Sequence, residues 1–131
     1  PKPAYRAVRR ALSPVLFTAR IAKYRWRGGE TFEAELWFHN DTPEEQRGRV
    51  TVTVSVGDWQ KTLETWETSA PANGNTRGNT VRVVLPKTDA EWVILTLESP
   101  EGYSNAYELR YKTSSGKSWK KVLNQDTESA K

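Results

Sequence analysis

The sequence contains no cysteine and only one histidine, and it has no long run of apolar residues. Without cysteine the chain can form no disulfide framework, no thiolate metal site and no thiol nucleophile. No segment approaches the ~20 apolar residues that a membrane-spanning helix needs, and the Arg-rich start lacks the apolar run of a secretory signal. We therefore predict a domain with no membrane partner, no metal and no cofactor. Its start also resembles the cut end of a longer chain.

The positive charge of the chain is concentrated at one end. The net charge is +4, but residues 1–29 carry eight bases and no acid, while residues 30–131 carry 12 bases against 16 acids. Such a block can contact nucleic acid or an acidic neighbouring domain, or it can be a solvated edge. The phrase YRWRGG interleaves bases with aromatic residues, as single-stranded nucleic acid would require, but no nucleic-acid-binding motif accompanies it. A basic-patch nucleic-acid-binding domain is therefore our second alternative, and we do not predict nucleic acid as the main partner.

Residues 1–13 predict a short amphipathic helix. Tyr5, Val8 and Leu12 recur at helical spacing, with arginines mostly on the other side. Pro14 ends the pattern, because proline disfavours helical geometry in the residue before it. An isolated helix this short is marginal in water, so we expect its apolar stripe to pack against a partner.

Residues 14–112 predict an all-β domain, a seven-stranded antiparallel immunoglobulin-like β-sandwich with no helix between its strands. Alternation gives each strand an apolar inward face and a polar outward face. The predicted inward residues are Phe32, Ala34, Leu36, Phe38, Val50, Val52, Val54, Val56, Val81, Val83, Leu85, Val93, Leu95, Leu97, Tyr107 and Leu109. Residues 113–131 are mostly polar, and we predict a disordered tail for them.

The sequence gives little support for catalysis. His39 would need a partner group within reach, but Glu35, four residues before it on the same strand face, lies ~13 Å away along an extended strand. Glu33 and Glu35 lie about 6.6 Å apart on that face, near the separation found in glycosidases. An exposed sheet face offers no cleft to shift the pKa of a carboxyl group. We predict no catalytic residue.

The six tryptophans are the more informative feature. Strict alternation turns Trp37 and Trp92 outward, and with them Trp66 or Trp59. We also predict a bulge in the strand of Trp66, because Leu63 and Trp66 otherwise fall on opposite faces. Clustered outward tryptophans indicate a surface for sugar rings or for another domain, whereas single ones also pack at sheet ends. Trp37, Trp66 and Trp92 are the candidate carbohydrate contacts of our first alternative, a carbohydrate-binding module.

The order of several motifs is specific to a known family. KPAYRAVRRALSPV is followed by YRWRGGETFEAELWFHNDTPE, then by PANGN before a valine-rich strand, then by WVILTLE and SNAY. In this order they resemble the C-terminal immunoglobulin-like domain of glycoside hydrolase family 2 enzymes, with the β-mannosidase and exo-β-glucosaminidase branch closest. The resemblance covers roughly residues 2–111.

The resemblance implies a non-catalytic accessory domain of a larger glycoside hydrolase. In the family, the KPAY segment runs off the catalytic (β/α)8 barrel, and both catalytic glutamates lie in that barrel. The expected partner is thus the barrel domain of the same full-length chain, contacted through Tyr5, Val8, Arg9 and Leu12. The basic face of residues 6–27 can then meet acidic partners. The resemblance also favours a periplasmic or secreted location.

Overall fold

The computed structural model describes Arg6–Ala7 and residues 13–113, and all regular structure in this part of the chain is β-strand. The strands are β1 (Arg6–Ala7), β2 (Val15–Arg20), β3 (Arg25–Arg27), β4 (Thr31–Asn40), β5 (Gln46–Val56), β6 (Trp59–Ala70), β7 (Gly74–Val84), β8 (Trp92–Glu98) and β9 (Asn105–Lys112). The predicted all-β class is confirmed. The seven predicted strands correspond to β2 and to β4 through β9, and the short strands β1 and β3 are additional.

The strands form two sheets that pack face to face. In the larger sheet β6, β5, β8 and β9 are antiparallel neighbours, and the other side of β9 pairs with β1 in antiparallel and with β3 in parallel orientation. The smaller sheet has the order β2-β4-β7 and is antiparallel throughout. From β4 onward the chain changes sheet between β4 and β5, between β6 and β7 and between β7 and β8. This arrangement is an immunoglobulin-like β-sandwich.

The core lies between the two sheets and is built by strand alternation. All sixteen residues that the sequence places inward are buried. The aromatic centre of the core is Phe17 of β2, whose ring stacks on Phe38 with 4.5 Å between ring centroids. Trp66 of β6 meets Phe17 edge-on at 5.8 Å. Phe17 therefore joins its own sheet to the edge strand of the other sheet.

Hydrogen bonds close the sandwich along both sides. On one side the backbone N–H of Ala19 in β2 donates to the Tyr107 hydroxyl of β9 at 3.0 Å. On the other side the Thr76 hydroxyl of β7 donates to the Ser69 carbonyl of β6 at 2.6 Å. The edges of the two sheets are thus linked by side chains where no strand pairing is available.

The predicted bulge in β6 is confirmed. The pairing of β5 with β6 shifts register after Val52, which leaves Leu63 as the extra residue. The extra residue brings Trp66 opposite the buried Val50, on the inner side of the sheet. Trp66 and Trp59 both pack against the core. The outward orientation considered for Trp66 is therefore wrong, because the bulge reverses the alternation of β6 after Leu63. Trp59, the other residue considered for an outward position, lies before the bulge, opposite the buried Val56.

The start of the chain differs from the prediction where it is described. Arg6–Ala7 is a strand, paired with Glu108 and Tyr107, where the sequence predicts helix. The edge of β9 presents unpaired N–H and C=O groups, and an added strand satisfies them. The rest of the predicted helix, with Tyr5, Val8, Arg9 and Leu12, lies outside the described residues, as does the tail from residue 114 onward.

Candidate functional site

Trp37 is at the centre of a polar cluster on the outer face of the smaller sheet. Its indole N–H donates to Glu35 Oε1 at 2.9 Å, and the Arg20 guanidinium lies 5.4 Å from the ring centroid. Glu35 also lies between two cations, 3.9 Å from Arg20 and 3.7 Å from Arg77. The cluster spans all three strands, because Arg20 belongs to β2 and Arg77 to β7. Trp37 thus has the outward position that alternation predicts, and its indole N–H is hydrogen-bonded to Glu35.

His39 continues this cluster, and both of its ring nitrogens are occupied. Nε2 lies 2.7 Å from the Thr18 hydroxyl and Nδ1 lies 3.0 Å from Oδ1 of Asn75. One neutral tautomer satisfies both contacts, with Nδ1–H donating to Asn75 and the Thr18 hydroxyl donating to Nε2. The ring also stacks on Trp37 at 6.1 Å. Both ring nitrogens of His39 therefore have partners on the neighbouring strands, Thr18 on β2 and Asn75 on β7.

Glu33 and Glu35 share the outer face of β4, as predicted. Glu33 accepts a hydrogen bond from Arg82 Nε at 3.1 Å, and its side chain is half exposed. Both carboxylates are therefore engaged by arginines on an open sheet face. This arrangement stabilises the sheet and provides no pair of facing carboxyl groups around a cleft.

The three candidate carbohydrate-contact tryptophans do not share a surface. Trp92 lies on the outer face of the larger sheet, is 39% exposed, and has the Arg110 guanidinium 4.5 Å from its ring centroid. Trp37 lies on the opposite side of the sandwich. Trp66 is directed inward, and a Cβ added at Gly78 would lie 2.8 Å from its ring. Only Trp37 and Trp92 have outward rings, and one extended sugar chain cannot stack on both.

A second group of polar residues lies where β3 pairs with the end of β9. The parallel register places Arg25 opposite Arg110 and Arg27 opposite Lys112, while the inward pair between them, Trp26 and Tyr111, is buried. We call Arg25, Arg27, Arg110 and Lys112 the cationic edge. Together with Lys23 and Glu30 it lines a pocket of about 170 Å³.

Close packing at Gly28 brings β3 against β9. A Cβ at Gly28 would lie 2.6 Å from the Tyr111 hydroxyl and 2.9 Å from the Pro86 carbonyl oxygen, so only glycine fits. The Gly28 N–H donates to the Lys112 carbonyl at 3.1 Å. The aromatic residue of the RWR phrase, Trp26, is 5% exposed and packs on Phe32 at 4.8 Å. The Trp26 ring is thus turned into the core and is not available to stack on nucleobases.

The cationic edge combines residues that sequence reasoning found with residues that it missed. Arg25 and Arg27 belong to the basic block at the start of the chain, but Arg110 and Lys112 lie 83 or more positions later and were not singled out. Their outward orientation follows from alternation with Leu109 and Tyr111. Their proximity to Arg25 and Arg27 depends on the parallel pairing of β3, which has no signal in the sequence.

Glu30 gives this region a pH dependence. The hydrogen bond from Lys23 Nζ, 2.8 Å long, together with one from the Arg27 N–H, lowers the pKa of Glu30 from its ordinary value. A carboxyl group with a lowered pKa in the folded state stabilises the fold above its unfolded pKa, and this contribution is lost as the pH falls. We expect the unfolding temperature of the domain to decrease as the pH is lowered below about 4. Glu30→Gln should lower the unfolding temperature at neutral pH and should make its decrease between pH 7 and pH 3 smaller. Thermal unfolding of both proteins over this pH range will measure the two effects. An equal decrease in the variant would mean that Glu30 does not contribute.

Residues 6–7 and 13–113 contain no group of three or more His, Asp or Glu side chains placed to hold a metal ion. In the same part of the chain no helix is long and apolar enough to cross a membrane.

The fold and these surfaces define the class of the molecule as an immunoglobulin-like β-sandwich. No family model matches its sequence, and no curated protein matches it. Solved structures are similar to it in fold. A β-glucosidase from Listeria innocua in complex with glucose is 8% identical with a TM-score of 0.51, and the match covers 74% of this chain and 16% of that one.

Two other similar structures come from unrelated functional classes. The alkylpurine DNA glycosylase AlkC from Pseudomonas fluorescens, bound to DNA containing an abasic site analog, is 10% identical with a TM-score of 0.56, covering 78% of this chain and 31% of that one. The sporulation control protein Spo0M from Bacillus subtilis is 11% identical with a TM-score of 0.50, covering 77% and 50%. At these identities the similarity extends to the fold alone. The chain spans half or less of the length of each of these proteins.

Proposed function

We propose that this chain is a non-catalytic accessory domain of a larger glycoside hydrolase and that it packs against the catalytic domain. The proposal combines two independent observations. The order of motifs from KPAY to SNAY resembles the C-terminal sandwich of glycoside hydrolase family 2 enzymes. The fold is similar to a portion, 16%, of a β-glucosidase chain. The first observation supplies the family and the second a glycosidase that contains a sandwich of this kind.

The state of His39 carries the non-catalytic part of the proposal. It is the one histidine of the chain, and both ring nitrogens are bonded to Thr18 and Asn75. The neighbouring carboxylates of Glu33 and Glu35 are bonded to arginines on the same open face. On an open sheet face these contacts hold neighbouring strands together, which supports a structural rather than a catalytic role for the three side chains.

The contact with the catalytic domain is proposed for the β9 edge. Arg6–Ala7 pairs with Glu108 and Tyr107, so the start of the chain is joined to the sandwich at β9. Tyr5, Val8, Arg9 and Leu12, the residues proposed to contact a barrel domain, directly flank this strand in sequence. A domain that precedes the sandwich would then lie beside the larger sheet.

A hydrolysis assay tests the absence of catalysis. We expect residues 1–131, incubated with aryl β-glycosides of glucose, mannose and glucosamine, to release aryl alcohol no faster than buffer. His39→Ala should behave in the same way, because the ring has a structural role. Hydrolysis by the native chain that His39→Ala abolishes would contradict the proposal and identify the outer face of the smaller sheet as an active site.

A further inference from the structure

The charges of the sandwich are distributed unevenly over its surface. Residues 13–113 contain 12 Lys and Arg against 14 Asp and Glu, so the sandwich as a whole is slightly acidic. Five of those 12 bases nevertheless line one pocket, where the only acid is Glu30. Lys23 binds that acid at 2.8 Å. The pocket therefore keeps a strong positive charge within a domain of opposite net sign.

The pairing of β3 with β9 sets like charges directly opposite each other. Arg25 faces Arg110, and Arg27 faces Lys112, with all four side chains on the outer side of the sheet. Adjacent strands are about 5 Å apart, and alternate residues on one strand are about 7 Å apart. Like charges directly opposite one another destabilise a sheet. The pair of Arg25 and Arg110 therefore raises the free energy of the folded state unless an anion lies near both guanidinium groups.

Four of the five other arginines within residues 13–113 have carboxylate partners, and Arg47 is the exception. Arg20, Arg49, Arg77 and Arg82 each lie within 4 Å of a glutamate. Within residues 6–7 and 13–113, by contrast, no carboxylate comes within 4 Å of the guanidinium of Arg25, Arg27 or Arg110. Arg110 is held by its ring contact with Trp92 at 4.5 Å. A guanidinium fixed on an aromatic face still has its N–H donors available to an oxyanion.

We propose that the cationic edge is an oxyanion-binding site whose ligand is a uronate- or sulfate-bearing polysaccharide. The planar fork of an arginine donates two parallel hydrogen bonds to a carboxylate or a sulfate, and these charge-assisted bonds are among the strongest that side chains form. The edge supplies three such forks, from backbone positions about 5 Å apart across the strands and about 7 Å apart along them. Trp92, which is 39% exposed and contacts Arg110, adds apolar surface next to the edge against which a sugar ring can pack. The choice of a polysaccharide rests on the proposed function.

The same observations disfavour nucleic acid. Binding of a single strand requires several exposed aromatic rings for successive bases, but Trp26 is buried and Tyr24 is half-buried against the core. Duplex DNA carries one charge per ~1.7 Å of its axis and needs a long cationic track. The positive charge here extends over one pocket, and the rest of residues 13–113 carries 7 bases against 13 acids. A polymer with one charge per sugar residue fits a site of this size.

Affinity gel electrophoresis of residues 1–131 tests the proposal. The gels contain polygalacturonate, dextran sulfate, neutral dextran or a single-stranded oligonucleotide, and mobility is compared with that in a polymer-free gel. We expect both anionic polysaccharides to retard the protein, neutral dextran to have no effect, and added salt to weaken the retardation. Arg25→Gln combined with Arg27→Gln should weaken polygalacturonate binding at least about tenfold, since two charge-assisted hydrogen-bonding groups are lost.

A control of equal charge change decides whether the site is specific. Arg77→Gln combined with Arg82→Gln removes two arginines from the opposite face and should leave the affinity within about twofold, because neither residue belongs to the cationic edge. Equal weakening by the two double variants would overturn the proposal, because binding would then follow net charge alone. Tighter binding to the oligonucleotide than to polygalacturonate would overturn it in favour of nucleic acid, and no retardation by any polymer would also overturn it. Each of these failures leaves the hydrolysis result for the proposed function unchanged.

Discussion

Phe17→Ala is expected to lower the free energy of unfolding by about 3–5 kcal/mol, the largest effect of any substitution considered for this domain. Phe17 is 1% exposed, stacks on Phe38 and meets the edge of Trp66. The two phenylalanines belong to the smaller sheet and Trp66 to the larger one, so the alanine variant leaves a cavity where the sheets meet. Chemical denaturation followed by tryptophan fluorescence will measure the loss, which should shift the transition midpoint without a large change of slope.

Two comparison variants test whether the cavity is the cause. Phe17→Leu retains most of the volume and should lose no more than about half as much free energy. Trp92→Ala removes a larger ring from a partly exposed position and should change the free energy of unfolding by about 1 kcal/mol or less. A loss below about 1 kcal/mol for Phe17→Ala would mean that the sheets do not pack through this ring.

Asn40→Ala is expected to lower the free energy of unfolding by about 3 kcal/mol, the second-largest effect. Asn40 is 2% exposed at the end of β4, and its amide donates to the carbonyls of Glu44, Ala70 and Pro71 at 2.7, 3.2 and 2.9 Å. Its Oδ1 accepts from the N–H and the hydroxyl of Thr42 at 3.0 and 2.7 Å. Alanine would leave these groups without their partner in a place that water reaches poorly. Thermal unfolding will measure the loss as a lower midpoint.

A second substitution at Asn40 tests whether its hydrogen bonds are the cause of the loss. Asn40→Asp keeps the size and one oxygen but points a second oxygen at the carbonyls, so the loss should be at least as large as for alanine. Asn75→Ala removes a surface amide whose side chain bonds only to His39, and it should change the free energy of unfolding by less than about 1 kcal/mol. An Asn40→Asp variant as stable as the native chain would contradict this hydrogen-bond network.

The alternation of apolar and polar residues was sufficient to predict the two sheets. Val50, Val52, Val54 and Val56 are fully buried, as their spacing predicted, because a half-buried strand has to repeat every two residues. The bulge at Leu63 was also predictable, since two apolar groups on β6 could otherwise not reach the same core. Both features depend on residues close together in the sequence, so the local spacing of apolar residues is enough to predict them.

Features that depend on distant pairing were not predictable. β3 has only three residues, and its phrase RWR gives no sign that it pairs in parallel with a strand more than 80 residues later. Arg110 and Lys112 were consequently not singled out, and the sequence did not predict that Trp26 is buried. At the start of the chain, helical spacing predicted a helix, but the pairing edge of β9 makes a strand of Arg6–Ala7. In both places the hydrogen-bonding edge of β9 overrides local preference.

The structure agrees with some of the positions predicted for the candidate site residues and disagrees with others. Trp37 and Trp92 have the predicted outward positions, and Trp66 does not. The inter-domain contact remains a prediction, because the residues proposed for it lie outside the part of the chain that the structure describes, namely Tyr5, Val8, Arg9 and Leu12. The cationic edge was found only when the sheet brought two separate sequence segments together. A binding site assembled from distant segments of such a sandwich can therefore be identified only from the folded structure.

The most direct test of the account uses the whole protein that contains residues 1–131, assayed with aryl β-glycosides before and after deletion of residues 14–112. We predict that the whole protein hydrolyses a glycoside and that the deletion leaves its catalytic residues intact. The catalytic domain that remains should unfold at a temperature several degrees lower, because it loses the surface against which the sandwich packs. A whole protein without glycosidase activity, or a deletion that leaves the unfolding temperature of the catalytic domain unchanged, would contradict the account.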